Sequence, residues 1–308
     1  MNIIVDKNNI ILENVDSFDI EQILECGQCF HFDKIGVKEY VIVAKGHLLH
    51  IMQDNGKITF FNTDKNTFEN IWRPYFDLEK DYNQIKRWLI ENEKKVLNKS
   101  GVLEKAILEK GGIRILNQDF FETLISFIIS QNKQIPHIKQ IVDILSIKYG
   151  TLVGEVNGKD YYSFPTLDQL SKVSENEIRL CKAGFRAPYI INACEKILDG
   201  TVSEQRLLCG NSNQTIEELM YIKGVGSKVA SCVALFALSK RNAFPIDVWV
   251  KRVMEKIYFG KETPKNDIAA FAEKLYGEYG GYAQQYLFYY GRDNNFGVDL
   301  KNKEEELE

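Results

Sequence analysis

Apolar residues crowd into short runs over the first sixty positions. Segments 41–44, 47–52 and 57–62 are rich in Val, Ile and Phe, side chains that pack well on a pleated surface. Asn55-Gly56 separates the last two runs and is the strongest short signal for a two-residue hairpin turn. The first sixty residues therefore read as strand. Beyond Thr63 the period lengthens. Segments 66–73 and 82–97 carry apolar residues at helical spacing, with Ile85, Trp88 and Leu89 on one face. From Gly112 onward the pattern predicts almost nothing but helix and turn. Segment 119–131 is apolar enough to be buried on most sides. Further helices are expected at 136–148, 167–181, 188–199, 215–221, 227–238, 247–258, 266–275 and 282–290. No internal repeat or low-complexity linker interrupts them. The implied fold class is α+β, with a small antiparallel sheet domain over 1–112 followed by a helical domain over 113–308.

Composition changes this picture little. The chain has 308 residues, 44% of them hydrophobic and only 6 of them proline, which excludes a disordered or fibrous protein. No apolar run approaches the roughly 20 residues of a membrane span. The first residues, Met-Asn-Ile-Ile-Val-Asp, lack the basic start and apolar stretch of a secretory signal. The expectation is a monomeric cytoplasmic protein away from any membrane, nucleoid-associated if bacterial. Net charge is −4, so nucleic-acid binding would have to come from a local patch. One exists between 223 and 256, where five lysines and two arginines face only Asp247 and Glu255. The acidic run of Glu304, Glu305, Glu306 and Glu308 reads as a solvated tail. Cys26-Gly-Gln-Cys29 has metal-ligand spacing but no second pair to complete a four-thiolate site. Reduced thiols and no metal are expected.

Chemistry concentrates in that basic patch. Thr215-Ile-Glu-Glu218 reads as a capping box, and the helix it opens ends at Lys223-Gly-Val-Gly226. The two glycines permit a tight turn with positive φ. Ser227 then reads as the cap of a second helix, rich in small residues from 229 to 234. Backbone N–H groups at such a junction face outward together and suit a phosphate; an ordinary turn between packed helices has the same spelling. On the second helix Lys228, Cys232 and Phe236 form an i, i+4, i+8 stripe. A helix's positive end and burial both disfavour an ammonium, the setting in which a lysine amine acts as a nucleophile. A solvated phosphate contact is the alternative role for Lys228. Phe244-Pro245-Ile246 leads to Asp247 where an N-cap belongs, with backbone N–H bonds expected to keep its carboxylate ionised. A fixed carboxylate beside an activated lysine suits a developing cation, although a cap alone explains its position equally well.

Lys223-Gly-Val-Gly-Ser-Lys228-Val-Ala followed by Pro245-Ile-Asp247-Val resembles the helix-hairpin-helix, Gly/Pro-rich loop and aspartate signature of base-excision DNA glycosylases. A lysine at 228 resembles the bifunctional branch. Gly112-Ile-Arg-Ile-Leu-Asn-Gln-Asp119, Ser126-Phe-Ile-Ile-Ser-Gln-Asn132, Gly184-Phe-Arg-Ala187 and Tyr282-Ala-Gln284-Gln-Tyr-Leu-Phe288 are similar to the 8-oxoguanine DNA glycosylase/lyase family. The resemblance runs from about residue 24 to 290. It implies a TATA-binding-protein-like sheet domain, a helical glycosylase domain, damaged double-stranded DNA as partner and no cofactor.

It also implies roles. Lys228 attacks C1′ of the damaged nucleotide to form a Schiff base, and β-elimination follows. Asp247 stabilises the cationic intermediates. The target base leaves the duplex, with Cys232 and Phe288 on its two faces and Gln284 at its Watson–Crick edge. The Gly27 carbonyl accepts N7–H, which 8-oxoguanine has and guanine lacks; the mismatch with guanine costs roughly 1–3 kcal/mol. Asn132, Phe185 and Arg186 match positions that contact the gap and the estranged cytosine. Gly224 and Gly226 contact the DNA backbone. Three departures stand out. His137 occupies a position where well-known members carry a second arginine, which implies a weaker preference for cytosine opposite the lesion. Trp249 and Gly291 stand where those members have a histidine–carboxylate pair near the phosphate. Two rival readings are an alkylated-base glycosylase, which would activate water and lack the lysine, and a non-catalytic helix-hairpin-helix DNA-binding module, which would need only the hairpin.

Overall fold

The computed structural model describes residues 1–98 and 101–295; the acidic tail lies outside the described residues. Six strands, β1 (Asn2–Asp6), β2 (Asn9–Glu13), β3 (Phe32–Gly36), β4 (Glu39–Ala44), β5 (His47–Asp54) and β6 (Lys57–Phe61), form one antiparallel sheet in the order β1-β2-β6-β5-β4-β3. Asn55 and Gly56 both take positive φ, so Asp54 pairs directly with Lys57 across a two-residue turn. Alternate side chains of β2, β5 and β6 bury Ile10, Leu12, Leu49, Ile51, Ile58 and Phe60 on one face, against Phe68, Trp72 and Phe76. β4 is buried on both sides because Val41 and Val43 meet Tyr161 on the other face.

That contact comes from a second hairpin, β7 (Leu152–Val156) and β8 (Lys159–Tyr162), which corrects the reading of everything past Gly112 as helix and turn. Its turn is again Asn-Gly, residues 157 and 158, both with positive φ. The strand reading of the first sixty residues is corrected by α1 (Ile20–Glu25), where the Asp19 side chain accepts from Gln22 N and Ile20, Ile23 and Leu24 are buried. The single helix expected over 167–181 divides into two four-residue turns. Each has its own capping box, Thr166 with Gln169 and Ser174 with Glu177. The chain then bends through Lys182 and Gly184, both at positive φ.

The helical body is built from α2 (Tyr82–Leu97), α3 (Val102–Lys110), α4 (Phe120–Ile129), α5 (Ile135–Tyr149), α6 (Ala187–Leu198), α7 (Ser212–Leu219), α8 (Ser227–Phe236), α9 (Val248–Met254), α10 (Lys265–Tyr276) and α11 (Gly280–Asp293). At its centre α4 buries Leu124, Ile125, Ile128 and Ile129 beside α8. α2 and α3 add Tyr82, Leu89 and Leu103 to this core. Trp88, expected beside Ile85 and Leu89, is instead part-exposed and meets the Tyr279 ring. The sheet and helical cores meet along an extended segment, residues 113–119. Gln28, wholly buried, stitches this seam. Its Nε2 donates to the carbonyls of Ile23 and Arg114, both at 2.8 Å, and its Oε1 accepts from Leu116 N at 2.9 Å.

Candidate active site

The hairpin between α7 and α8 forms where the glycines predict it, but its caps differ from the expected ones. The capping box of α7 belongs to Asn211 and Gln214. Thr215 is buried and donates to Leu207 O at 2.9 Å, while Glu218 accepts from Ser203 N and pairs with Arg206. A helix already under way satisfies its own amides, so the Thr and Glu side chains serve tertiary contacts. At α8 the N-cap is Gly226, and Ser227 is the first helical residue without a capping bond. Only Gly224 has positive φ (+81°); a Cβ there would stand 2.3 Å from the Tyr189 ring. Gly226 is extended, at φ −97° and ψ 179°.

From this N-terminus α8 sends Lys228, Cys232 and Phe236 into a cavity of about 1380 Å³. The cavity is also lined by Gly27, Asn132, Phe185, Asp247, Trp249, Gln284 and Phe288. Nine of the thirteen residues singled out from the sequence therefore share one cavity, although they come from six separated segments. Lys228 Nζ lies 5.0 Å from the centre of the Phe127 ring, which itself stacks on Phe236 at 5.6 Å. Burial pushes the Cys232 thiol up, with Lys228 opposing.

Asp247 caps α9 as expected, its Oδ1 accepting from Val250 N at 2.8 Å. These bonds favour the ionised form, as expected, but they are not the dominant influence on its pKa. Burial raises its pKa above the ordinary carboxylate value, and the Val250 amide, Lys228, the Trp249 amide and Lys265 recover only part of the shift. Loss of hydration is the larger effect here.

Across the cavity Gly27 has φ +77°, and a Cβ on it would meet Phe288 at 3.3 Å and Ile135 at 3.6 Å. The Phe288 ring thus rests against the backbone of the Cys26-Gly27-Gln28 turn. Gln284, one helical turn earlier on α11, is buried and its Oε1 has no partner among the described residues. A buried amide oxygen without a partner suits a polar ligand. Next to it Gln285 reaches the Cys26 sulfur at 3.5 Å. The Cys26 and Cys29 thiols point at the carbonyls of Ile23 and Leu24, and burial pushes Cys26 up to about 12. Among the described residues no cluster of three or more His, Cys, Asp or Glu side chains could hold a metal.

Four sequence candidates lie outside the cavity lining. Gly224 and Gly226 stay in the hairpin, and His137 is exposed on the first turn of α5. Arg186, expected to face DNA, is buried. It donates to the carbonyls of Gln131 and Ala183, tying the turn before α6 to the Asn132 loop, and its Nε has no partner among the described residues. Its guanidinium also covers the Phe185 ring at 4.2 Å, while half of Phe185 remains exposed. Of the two departures near the phosphate position, Trp249 stacks with Arg252 at 5.4 Å. Gly291 lets α11 approach α9; a Cβ there would lie 2.5 Å from Val253. Sequence reasoning missed Phe127, Gln285, Arg292 and Lys265, all in the lining. Arg292 was legible as i+4 from Phe288; nothing in the local pattern marked Lys265.

The family model for the 8-oxoguanine DNA glycosylase N-terminal domain matches residues 10–124. That for HhH-GPD superfamily base excision DNA repair proteins matches 125–278. The chain belongs to the 8-oxoguanine DNA glycosylase family. A Clostridium acetobutylicum 8-oxoguanine glycosylase/lyase, solved with double-stranded DNA containing cytosine opposite 8-oxoG, superposes at a TM-score of 0.90. It is 37% identical, and the match covers 96% of this chain and 99% of that one. The Arabidopsis thaliana N-glycosylase/DNA lyase OGG1 is 36% identical over 58% of this chain and 51% of its own length. A probable N-glycosylase/DNA lyase of Methanothermobacter thermautotrophicus is 31% identical over 59% of this chain and 64% of its own length. The matches thus span about half to two thirds of these curated relatives. The Archaeoglobus fulgidus 3-methyladenine DNA glycosylase, at 20% identity and a TM-score of 0.72, shares the fold. No helix among the described residues is long and apolar enough to cross a membrane.

Proposed function

We propose that this chain is a monomeric cytoplasmic enzyme that removes 8-oxoguanine from duplex DNA and then cleaves the strand 3′ to the abasic site. The observation that carries the reading is the meeting of Lys228, Asp247, Cys232, Gln284, Phe288 and Gly27 in one cavity. Lys228 Nζ attacks C1′, and the N-glycosidic bond breaks with its electron pair leaving on the base. The N,O-acetal so formed, after Nζ gives up a proton, opens to a Schiff base as the C1′–O4′ bond breaks and O4′ takes a proton. Removal of a C2′ proton then expels the 3′ phosphate. Asp247, fixed at the start of α9, offsets the positive charge that develops at C1′ and on the imine.

The base would lie between Cys232 and Phe288. Gln284, with both donor and acceptor capacity in its amide, would read the Watson–Crick edge. The Gly27 carbonyl would take N7–H of the lesion. Asn132 and Phe185, exposed at the cavity mouth, suit the gap left in the duplex, and the α7–α8 hairpin with Gly224 and Gly226 suits the backbone. With Arg186 drawn inward and His137 in place of an arginine, discrimination of the opposite base would be weak.

Borohydride trapping on a duplex with 8-oxoguanine opposite cytosine tests the reading. A covalent protein–DNA band is expected for the wild type and not for Lys228→Gln. Base release without trapping would make the enzyme monofunctional. Inactivity on that duplex with turnover of alkylated bases would replace the substrate assignment.

A further inference from the structure

The flipped nucleotide carries a phosphate on each side, only a few bonds from the C1′ that must reach Lys228. Those phosphates have to lie at the cavity mouth, near the buried carboxylate of Asp247. A phosphate next to a carboxylate requires a cation close by. The histidine–carboxylate pair that the family resemblance implies for this place is absent, since Trp249 and Gly291 occupy it. Most basic side chains of the region are engaged. Lys251 pairs with Glu255 and Glu262, and Arg252 stacks on Trp249. Arg292 lies over Tyr289 and Phe288 beside Asp293, and Lys34 is held by Glu21 and Glu25.

Lys265 is different. It opens α10, its side chain lines the cavity, and it is exposed. It lines the same cavity as Asp247, and its charge is among those that lower the Asp247 pKa. Among the described residues it has neither an ion-pair nor a hydrogen-bond partner. Lys133, the other unengaged lysine of the lining, belongs to the loop that carries Asn132.

We propose that Lys265 binds a DNA phosphate flanking the flipped nucleotide and so positions C1′ for Lys228. This inference rests on the glycosylase reading above. Lys265 is a positioning residue here, replacing with one flexible ammonium a contact made elsewhere in the family by a histidine.

The test uses the full chain with Lys265→Met and Lys265→Arg, measured on an 8-oxoguanine duplex by anisotropy and single-turnover excision. Lys265→Met should lower the slope of log affinity against log salt by about 0.9, the value for one lost phosphate contact. Excision should slow roughly tenfold, the factor that about 1.4 kcal/mol gives, and Lys265→Arg should restore both. A duplex with a neutral methylphosphonate at one flanking position should erase the difference between wild type and Lys265→Met. An unchanged salt slope, or additive effects of mutation and methylphosphonate at both flanking positions, would overturn the proposal. A changed pH profile at constant salt slope would also overturn it, because Lys265 would then act only on Asp247. If the wild type itself neither excises nor traps, the glycosylase reading fails instead.

Discussion

On the proposed function, replacing Gly27 by alanine should separate base recognition from strand cleavage. The residue sits at φ +77°, where a side chain costs roughly 1–2 kcal/mol. The new Cβ would stand 3.3 Å from Cε1 of Phe288 and 3.6 Å from Ile135, so the Phe288 ring must shift by a fraction of an ångström. In a chain of 308 residues the strain lowers Tm by roughly 1.5–3 °C, from an unfolding entropy of about 2.1 cal/mol/K per residue. The ring shift narrows the slot proposed for the base, and moves the carbonyl proposed to take N7–H. A loss of roughly 1.4 kcal/mol there slows excision about tenfold. An abasic site has no base to place, and Lys228 and Asp247 lie on the other wall. Strand cleavage at a preformed abasic site should therefore stay within about twofold of wild type, a difference of only ~0.4 kcal/mol. Single-turnover assays on the two duplexes, run below the lowered Tm, decide the matter. Equal losses on both substrates, or an unchanged excision rate in a folded variant, would refute the assignment of Gly27 to recognition.

Three further outcomes are expected. Asp247→Asn keeps an N-cap side chain but loses the charge, so excision should fall by about 10²–10³. Because burial raises the Asp247 pKa in the folded state, its stabilising share is fully present below the unfolded value and lost as pH rises through the folded one. Asp247→Asn should thus melt above wild type at pH 7 and converge with it near pH 3, as scanning calorimetry would show. Gly224→Ala should weaken binding to damaged and undamaged duplex alike in anisotropy titrations, since its Cβ would overlap Tyr189 and its φ is +81°; lesion-selective weakening would contradict this. Of the six cysteines only Cys209 is exposed, so a thiol reagent should label one site on the native protein and the rest only after unfolding; rapid native labelling of Cys26 or Cys29 would contradict the burial found there.

The pattern of the chain exposed what depends on local spacing. The Asn55-Gly56 hairpin, the α7–α8 turn, the Lys228 stripe and the Asp247 cap all follow from a few neighbouring residues, and the structure has them. Asn157-Gly158 carried the same signal as Asn55-Gly56, yet the flanking strands are only five and four residues long and disappear between helices. Thr215 and Ser227 have the spelling of caps, but each could be placed only by knowing which amides were already bonded. Arg186 shows the firmer limit. A local motif puts it beside Phe185, while its direction is set by the Gln131 carbonyl, 55 positions away in the chain. The Asp247 carboxylate is similar: its cap was readable, but its burial is a property of the assembled cavity.

The seam stitched by Gln28 bears on fidelity. Gly27 belongs to the turn after α1, whereas Phe288, Gln284 and Lys228 are carried by the helical body. Gln28 helps to align them: its side chain donates to Arg114 O and accepts from Leu116 N across the seam, its carbonyl accepts from the Gln118 amide at 2.7 Å, and its bond to Ile23 O holds the turn to α1. A tool whose gauge and blade are forged separately is only as accurate as the rivet between them. On the proposed function, errors in telling a damaged purine from a sound one would therefore originate partly at an amide side chain buried away from the cavity lining.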